Sequence, residues 1–282
     1  MAAKKWAAFP HANKAFDYSG DKLHKHWAKL HLGDQEPFPD DAHVGKLIKG
    51  NAKLGKTADA GNIAAQLQEG WSAYHAGEFQ HAFELGNALG ALGAVLANKS
   101  IGIHAVYLID DEKEKLKRFE DVGQRAELAM AALPKEANSH YFRAFGLGRY
   151  SQLISIAKAL SQGLASKVKE SLDATLKIAP KHAEAHTALG LYHAEIVGKI
   201  GGMIASLTYG AKAASTDEHC KLAIKLTPES PIALIEYANA LMLIHGDKKE
   251  DEAAALYAKA IKLKPHDAME ALDIAHAKAQ ME

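Results

Sequence analysis

Cysteine is almost absent from this sequence: Cys220 is the single one among 282 residues. One thiol cannot form an internal disulfide, so nothing indicates a disulfide-stapled fold or an oxidising compartment. Proline is also scarce, with eight residues in the whole chain. Because proline interrupts helical hydrogen bonding, its scarcity favours a largely helical protein.

The sequence has neither a charge excess nor a long apolar run. Lys and Arg total 34, as do Asp and Glu, so we expect no nucleic-acid partner, which usually requires a basic surplus. The best candidate for a membrane span, Ile196 to Tyr209, contains Lys199 and is shorter than the ~20 apolar residues that a spanning helix needs. No apolar signal core follows Lys4 and Lys5. We therefore expect a cytoplasmic protein without a transmembrane segment, although an exported protein whose signal had been removed would look the same.

Four segments of the chain end alike, in RAELAMAALP, SLDATLKIAP, HCKLAIKLTP and LYAKAIKLKP. Each has apolar residues at helical spacing and closes in a proline that cannot continue the helix; these are Pro134, Pro180, Pro228 and Pro265. A second helical pattern follows each of the first three prolines, and a closing helix around Met269 to Ala279 follows the fourth. An earlier unit, GWSAYHAGEFQHAFELGNAL, turns at Gly77-Glu78. The chain is therefore built from repeated helix pairs.

These units resemble the tetratricopeptide (TPR) repeat, which has a period of about 34 residues with Ala, aromatic and Pro signposts. Matching residues in the first unit are Gly70, Gly77, Phe79 and Ala82, and in the last unit Ala253, Tyr257, Ala260 and Pro265. The resemblance extends from about Ile63 to Glu282. It implies an all-α protein, a right-handed TPR-type α-α superhelix with enlarged central repeats and a C-terminal capping helix.

Three regions are expected along the chain. Residues 1–62 form an N-terminal arm and a degenerate helix pair, residues 63–265 form the TPR-like repeats, and residues 266–282 form the capping helix. The arm carries Trp6, Phe9, Phe16 and Tyr18, and so many aromatic side chains usually pack against the body of a protein; a frayed terminus is the alternative. The helix pair would turn at Gly33-Asp34 with Trp27 and Leu30 in its core.

Two central repeats are enlarged between their helices, by YSQLISIAKALSQGLASKV and EIVGKIGGMIASLTYGAKAASTD. Both insertions are apolar, so we predict lengthened helices plus a turn, with Ser215 to Glu218 as a capping box that restarts the second helix. Together with PKHAEAHTALGLYHAE and HCKLAIKLTP, the insertion resembles two families. These are the regulators of microtubule dynamics and the TPR partner proteins of tripartite ATP-independent periplasmic transporters. The second resemblance implies a transport-accessory role.

The sixteen histidines raise the question of a metal site. His182, His186 and His193 share one helical stripe, and two imidazoles at i, i+4 can bind a transition metal, which makes His182 and His186 the weak candidates. No Cys or carboxylate cluster completes such a site, so we predict that His186 and His193 are packing residues. We expect no metal and no cofactor.

No catalytic residue is predicted. The sequence has no nucleophile elbow, Cys220 lies on a buried helical stripe, and the glycine-rich segment Gly198 to Gly202 follows no strand that would make it a phosphate loop. We therefore expect a protein that is not an enzyme.

The first helices of TPR-type repeats line a concave face, where we place the function. The positions that repeat packing leaves free are mostly apolar: Ile101, Leu108, Tyr141, Phe145, Leu191, Ile235, Asn239 and Met242. One hypothesis is a scaffold that binds a protein or peptide partner on this face. The other is a binding protein for a small hydrophobic ligand held between the enlarged repeats. The alternative to both hypotheses is that the N-terminal arm or the insertions cover this face. The sequence is also compatible with a homo-oligomer.

Overall fold

A computed structural model describes residues 6–11 and 16–281, of which 78% are helical. These ranges contain no β-strand, so the prediction of a helix-rich, all-α protein is confirmed. The chain divides into two compact units. Unit 1 holds the described residues of Met1–Lys29, Glu36–Ile156 and Asp267–Met269, and unit 2 holds those of Leu30–Gln35, Ala157–His266 and Glu270–Glu282.

The helices of unit 1 succeed one another along the chain. They are α1 Asp21–Leu30, of which Leu30 belongs to unit 2, α2 Asp41–Gly50, α3 Ala60–Ala76, α4 Phe79–Ala88, α5 Ala94–Tyr107, α6 Glu112–Ala132 and α7 Ala137–Gln152. From α2 onwards each helix packs against the next, and α5 also packs against α7. This order of contacts is that of stacked helix pairs.

The turn between α3 and α4 lies where the sequence predicts it, at Gly77-Glu78. Gly77 has a φ of +88°, a left-handed conformation that ends a helix and that glycine adopts without a Cβ penalty. Phe79 then opens α4 and is buried, with Trp71 and Tyr74 of α3 among the fully buried side chains. The three aromatic rings on the two sides of this turn therefore pack in the core of unit 1.

The aromatic residues of the N-terminal arm pack against unit 1. The Trp6 ring lies 5.3 Å from the Phe83 ring, and the Phe9 ring lies 6.3 Å from that of Phe79. Phe9 and Phe16 are buried. Residues 1–5 and 12–15 of the predicted arm lie outside the described residues.

Two helices, α1 and α2, occupy the segment predicted to be a degenerate helix pair. Trp27 of α1 is buried, and its indole N–H donates to the carbonyl oxygen of Glu36 at 2.8 Å. Gly33-Asp34 lies between the two helices, and the buried Asp34 carboxylate pairs with His31 Nδ1 at 2.9 Å. That α1 and α2 form a repeat stays a prediction.

Unit 2 is built around one long helix, α10. Its helices are α8 Ile156–Ser161, α9 Leu164–Ile178, α10 Ala183–Ile200, α11 Gly202–Tyr209, α12 Ala213–Leu226, α13 Pro231–His245, α14 Glu250–Ala260 and α15 Ala268–Met281. Ile156 of α8 and the first two residues of α15 are assigned to unit 1. Helix α10 packs against α9, α11, α12 and α13, and α13 packs against α14. Cys220 of α12 is buried in a cluster with Ala194, Tyr237 and Leu241.

The predicted form of the two insertions needs correction. α10 is lengthened as expected, but each insertion also folds an additional short helix, α8 in the first and α11 in the second. The capping box at Ser215 is wrong, because α12 begins at Ala213 and Ser215 lies inside its first turn. The N-cap is Lys212, whose extended backbone N–H donates to His193 Nδ1 at 3.4 Å. The helix therefore begins earlier than the local pattern indicates.

The terminal prolines end three helices as predicted. Pro134, Pro180 and Pro228 each follow within two residues of the ends of α6, α9 and α12. Pro265 does not end a helix, because α14 already ends at Ala260. A turn, closed by the hydrogen bond from Leu263 N–H to the Ala260 carbonyl oxygen, lies between the end of α14 and Pro265. Across the described residues, no helix combines the length and the apolar character needed to cross a membrane.

Candidate functional site

The predicted concave-face residues of unit 1 are largely covered by their own unit. Ile101 and Tyr141 are buried, whereas Leu108 and Phe145 are half-buried. The Phe145 ring lies 6.1 Å from the Phe119 ring of α6, and a Cβ built on Gly102 of α5 would lie 2.6 Å from Phe145 Cε1. Phe145 therefore fills space between three helices.

The predicted residues of unit 2 differ in accessibility. Ile235 is 2% exposed, in a cluster with Leu234, Ala260 and Ala277, and Leu191 packs half-buried. Asn239 is half-buried, accepting from the Tyr257 hydroxyl at 2.6 Å and donating to Glu236 at 3.0 Å. Met242 is 37% exposed. Of the eight predicted residues, Met242 is thus the most exposed, while Leu108, Phe145, Leu191 and Asn239 are half-buried.

The largest apolar exposure in unit 2 lies on α11, which sequence reasoning did not select. Met203 is 78% exposed, Ile204 57% and Leu207 83%, while Met242 and Leu243 (46%) are exposed on α13. Both helices flank the C-terminal end of α10, because Gly201 joins α10 to α11 and a Cβ on Gly198 would lie 3.0 Å from the Leu243 carbonyl oxygen. These five residues are called the α11 surface below. The apolar insertion is the available signal, but from the sequence it is considered only as one alternative cover for the concave face.

The histidines of the α10 stripe have structural partners. His182 is fully buried and accepts from the Ala185 N–H at 3.0 Å, so it caps the N-terminus of α10. His186 lies with its Nε2 3.0 Å from the Pro180 carbonyl oxygen, which can only accept, so Nε2 carries the proton. In the neutral ring Nδ1 then accepts from His219 Nδ1, 3.0 Å away. His182 Nδ1 and both ring nitrogens of His186 are therefore engaged in hydrogen bonds.

Three imidazoles stack between α10 and α12. The His219 ring lies 5.2 Å from His186 and 5.9 Å from His193, with interplanar angles of 26° and 11°. Burial lowers the pKa of His193 to about 4, and burial followed by the nearby His186 lowers the pKa of His219. These two rings are neutral at pH 7. Within residues 6–11 and 16–281, no three His, Cys, Asp or Glu side chains are arranged to hold a metal ion.

An open cleft of about 420 Å³ lies beside this stack in unit 2. His193 of α10 and His219 of α12 line it, together with Ser215 and apolar Leu176 and Leu189. Its charged residues are Lys169, Asp173, Lys177 and Lys212. The sequence drew attention to α10, but it gave no sign that α12 would contribute a third imidazole or that α9 would add lysines.

Cys220 lies in the core, as its helical stripe indicates. It is 1% exposed, and burial raises the pKa of its thiol to about 12. A thiol that stays protonated and inaccessible at neutral pH is a poor nucleophile. Cys220 therefore acts as a packing residue.

Comparison with known proteins gives a fold and no family. No family model and no curated protein matches the chain. Among solved structures, the chain is similar to TTC0263, a thermophilic TPR protein of Thermus thermophilus, with a TM-score of 0.53 and 16% sequence identity. The match covers 77% of this chain and 99% of that one. At this identity the likeness shows the fold alone, and it confirms the TPR-type helical architecture that the repeats predict.

Proposed function

We propose that the protein is a non-enzymatic TPR-type scaffold that binds a protein partner through the α11 surface. The observation that carries this proposal is the exposure of Met203, Ile204 and Leu207 on one short helix. Large apolar side chains grouped on a soluble protein mark interaction sites, because burying each one stabilises by about 1.5–3 kcal/mol. An amphipathic helix of a partner is the kind of element that covers such a group.

Met242 is a member both of this surface and of the predicted concave face. Ile101, Tyr141 and Ile235 are buried by the protein itself, so a partner reaches them only after rearrangement. Met242 and its neighbour Leu243 are exposed beside the C-terminal end of α10. The partner-binding role predicted for the eight residues of the concave face is therefore proposed only for Met242, together with α11.

The enlarged repeats also carry the finer family proposals. The resemblance to the regulators of microtubule dynamics, and to the TPR partners of tripartite ATP-independent transporters, rests on the long α10 and the insertion that folds as α11. A transport-accessory role would use the same surface, with a membrane-protein segment as the partner.

The alternative of a small hydrophobic ligand is less well supported. Such a ligand needs a mostly apolar cavity of several hundred Å³. The cavity of unit 1 beside Leu67, Trp71 and Leu96 has a volume of about 30 Å³, room for about one water molecule, and Glu36, His43 and Glu136 also line it. An open cleft of about 390 Å³ beside Trp6, Phe9 and Phe79 is lined also by Glu78, His81 and Glu84. The larger cleft of unit 2 is lined by lysine and histidine, which an apolar ligand would leave unsatisfied.

Site-specific photo-crosslinking tests the partner proposal. A benzophenone amino acid replaces Leu207 in one variant and Leu128 in the control. Leu128 lies on α6 and is 73% exposed, so both positions are similarly accessible. Irradiation of cells that naturally make the protein should give one defined crosslinked partner from position 207 only. Introducing Met203→Ser into the 207 variant should reduce the yield about tenfold, the effect of losing roughly 1.4 kcal/mol.

Two outcomes would overturn the proposal. Equal and diffuse crosslinking at positions 207 and 128 would mean that exposure alone produces the products. A crosslink between two copies of this chain as the main product at position 207 would mean that α11 mediates self-association and no foreign partner.

A further inference from the structure

The cleft of unit 2 carries an excess of positive charge. Lys169, Lys177 and Lys212 line it, against the carboxylate of Asp173. Lys169 Nζ is bonded to Asp173 at 2.6 Å, so these two charges largely neutralise each other. In the described part of the chain, neither Lys177 nor Lys212 lies within ion-pair distance of a carboxylate. Two exposed lysines without a carboxylate partner therefore line one cleft.

The histidine stack contributes His193, which is 5% exposed, to the wall of the same cleft. His193 Nδ1 accepts from the Lys212 backbone N–H, so the proton of the neutral ring is on Nε2. The ring is held in place by stacking on His219, which is itself fixed by its hydrogen bond to His186. Ser215 adds a hydroxyl from the first turn of α12. The polar groups that line the cleft are thus mostly donors, and its acceptors are the Asp173 carboxylate, which is already bonded, and the Nε2 of His219.

A doubly charged oxyanion matches this arrangement. A phosphate monoester carries about −1.5 to −2 charges at pH 7 and presents several acceptor oxygens, whereas a carboxylate carries −1. Lysine binds phosphate as a point charge. The volume of about 420 Å³ lies in the range of small-molecule sites and leaves room for more than the phosphate group. Leu176 and Leu189 provide an apolar wall for the remainder.

We propose that this cleft is a binding site for a small organic phosphate. Its phosphate group is held by Lys177, Lys212 and the Nε2–H of His193, and its organic part lies against Leu176 and Leu189. The site is independent of the α11 surface, since it uses none of the five residues of that surface. The protein would then bind a metabolite in unit 2 as well as a partner.

Calorimetric titration of the full chain with three matched probes tests this site. The probes are glycerol 3-phosphate, glycerate and glycerol, which share a carbon chain and differ in the anionic group. Glycerol 3-phosphate should saturate one site per chain at millimolar concentration, and glycerol should not bind. Lys177→Gln and Lys212→Gln should each weaken binding about tenfold, because each removes a charge-assisted contact.

A matched charge control is available on the same helix as His219. Lys225→Gln removes an exposed lysine of α12 that does not line the cleft, so it changes the net charge equally and should leave binding unaltered. Melting curves of all three variants should coincide with wild type, since the replaced side chains are exposed.

Several results would overturn the proposal. These are no heat from glycerol 3-phosphate, equal weakening by Lys225→Gln, and equal affinity for glycerate. A zinc titration in the same buffer provides a further check. Tight zinc binding that displaces glycerol 3-phosphate and is lost in His219→Gln would reassign the cluster as a metal site.

Discussion

At the scale of single residues, His104 of α5 joins the N-terminal arm to α6. Its Nε2 donates to the Ala7 carbonyl oxygen at 3.0 Å, so its Nδ1 is free to accept from Arg118 Nη1, also at 3.0 Å. The Arg118 guanidinium lies 4.4 Å from the centre of the Trp6 ring. Burial, and after it the charge of Arg118, lowers the pKa of His104 to about 4, although the bond to Ala7 opposes the shift. The arm is thus fastened by a histidine that must stay neutral.

This histidine makes the stability of unit 1 sensitive to acid. Its pKa is about 4 in the folded protein and about 6.5 when unfolded, so between these pH values the unfolded state binds more protons. The contribution of His104 is fully present above pH ~6.5 and is lost as the pH falls to ~4, by up to about 3 kcal/mol. His104→Gln lacks this titration. The difference in unfolding free energy between wild type and His104→Gln should therefore shrink as the pH falls from 6.5 to 4.

Urea unfolding followed by tryptophan fluorescence measures this difference. Trp6, Trp27 and Trp71 all belong to unit 1, so the signal reports the unit that contains His104. Titration of His193 and His219 affects both proteins equally and cancels. A difference that stays constant across this pH range would show that His104 is not held neutral by its surroundings.

At the scale of helices, α6 and α7 approach each other through a glycine. A Cβ built on Gly146 of α7 would lie 2.7 Å from Gly123 N and 2.9 Å from the Phe119 carbonyl oxygen, both backbone atoms of α6. Backbone cannot move aside as a flexible side chain does. Gly148, on the same helix, would direct a Cβ into space with no atom within 4 Å. Gly148 therefore serves as a matched control for Gly146 on the same helix.

Alanine substitutions at these two positions should change stability in opposite directions. Gly146→Ala should destabilise by about 1–3 kcal/mol, because the helices must separate. Gly148→Ala should stabilise by about 0.5–1 kcal/mol, since alanine loses less backbone entropy inside a helix. Urea midpoints of both variants and wild type decide the matter. Equal shifts of the same sign would mean that α6 and α7 are not in backbone contact at Gly146.

The sequence predicts helices better than it predicts what lies between them. The turn at Gly77 and the ends at Pro134, Pro180 and Pro228 depend on local chemistry, so they are readable from the chain. The N-cap of α12, Lys212, contacts His193, nineteen residues earlier, and no local pattern contains such a contact. The sequence pattern does not predict the cleft, for a related reason. His219 lies on the second helix of its repeat, whereas the repeat pattern places binding residues on the first helices.

The sequence pattern also does not predict that most of the concave-face residues are covered by neighbouring helices. Equivalent positions on first helices were expected to be free because repeat packing does not use them. Phe145 instead fills the space left by Gly102, and Ile235 is enclosed by α14 and α15 through Ala260 and Ala277. Small residues on neighbouring helices decide which large residues are enclosed. That pairing is a property of the folded structure and not of the repeat pattern.

At the scale of the whole molecule, the two units carry different surfaces. Unit 1 contains every tryptophan and receives the aromatic arm, whereas unit 2 contains the histidine stack, the lysine-lined cleft and the α11 surface. Both proposed binding sites therefore belong to unit 2. A substitution in unit 1 is expected to act on stability, and one on the exposed face of unit 2 on binding.

Phe145→Ser and Met242→Ser separate these two roles, although the sequence places both residues on one face. Phe145→Ser removes a half-buried ring that packs on Phe119 and Gly102, so unit 1 should lose about 1.5–3 kcal/mol. Met242→Ser changes a side chain that is 37% exposed and should shift stability by less than about 1 kcal/mol. Tryptophan fluorescence in urea measures the first effect and circular dichroism the second.

Crosslinking from position 207 should fall in Met242→Ser and persist in Phe145→Ser below its melting temperature. Unfolding of both variants would make Met242 part of the core, and unchanged crosslinking in Met242→Ser would place the partner on another face.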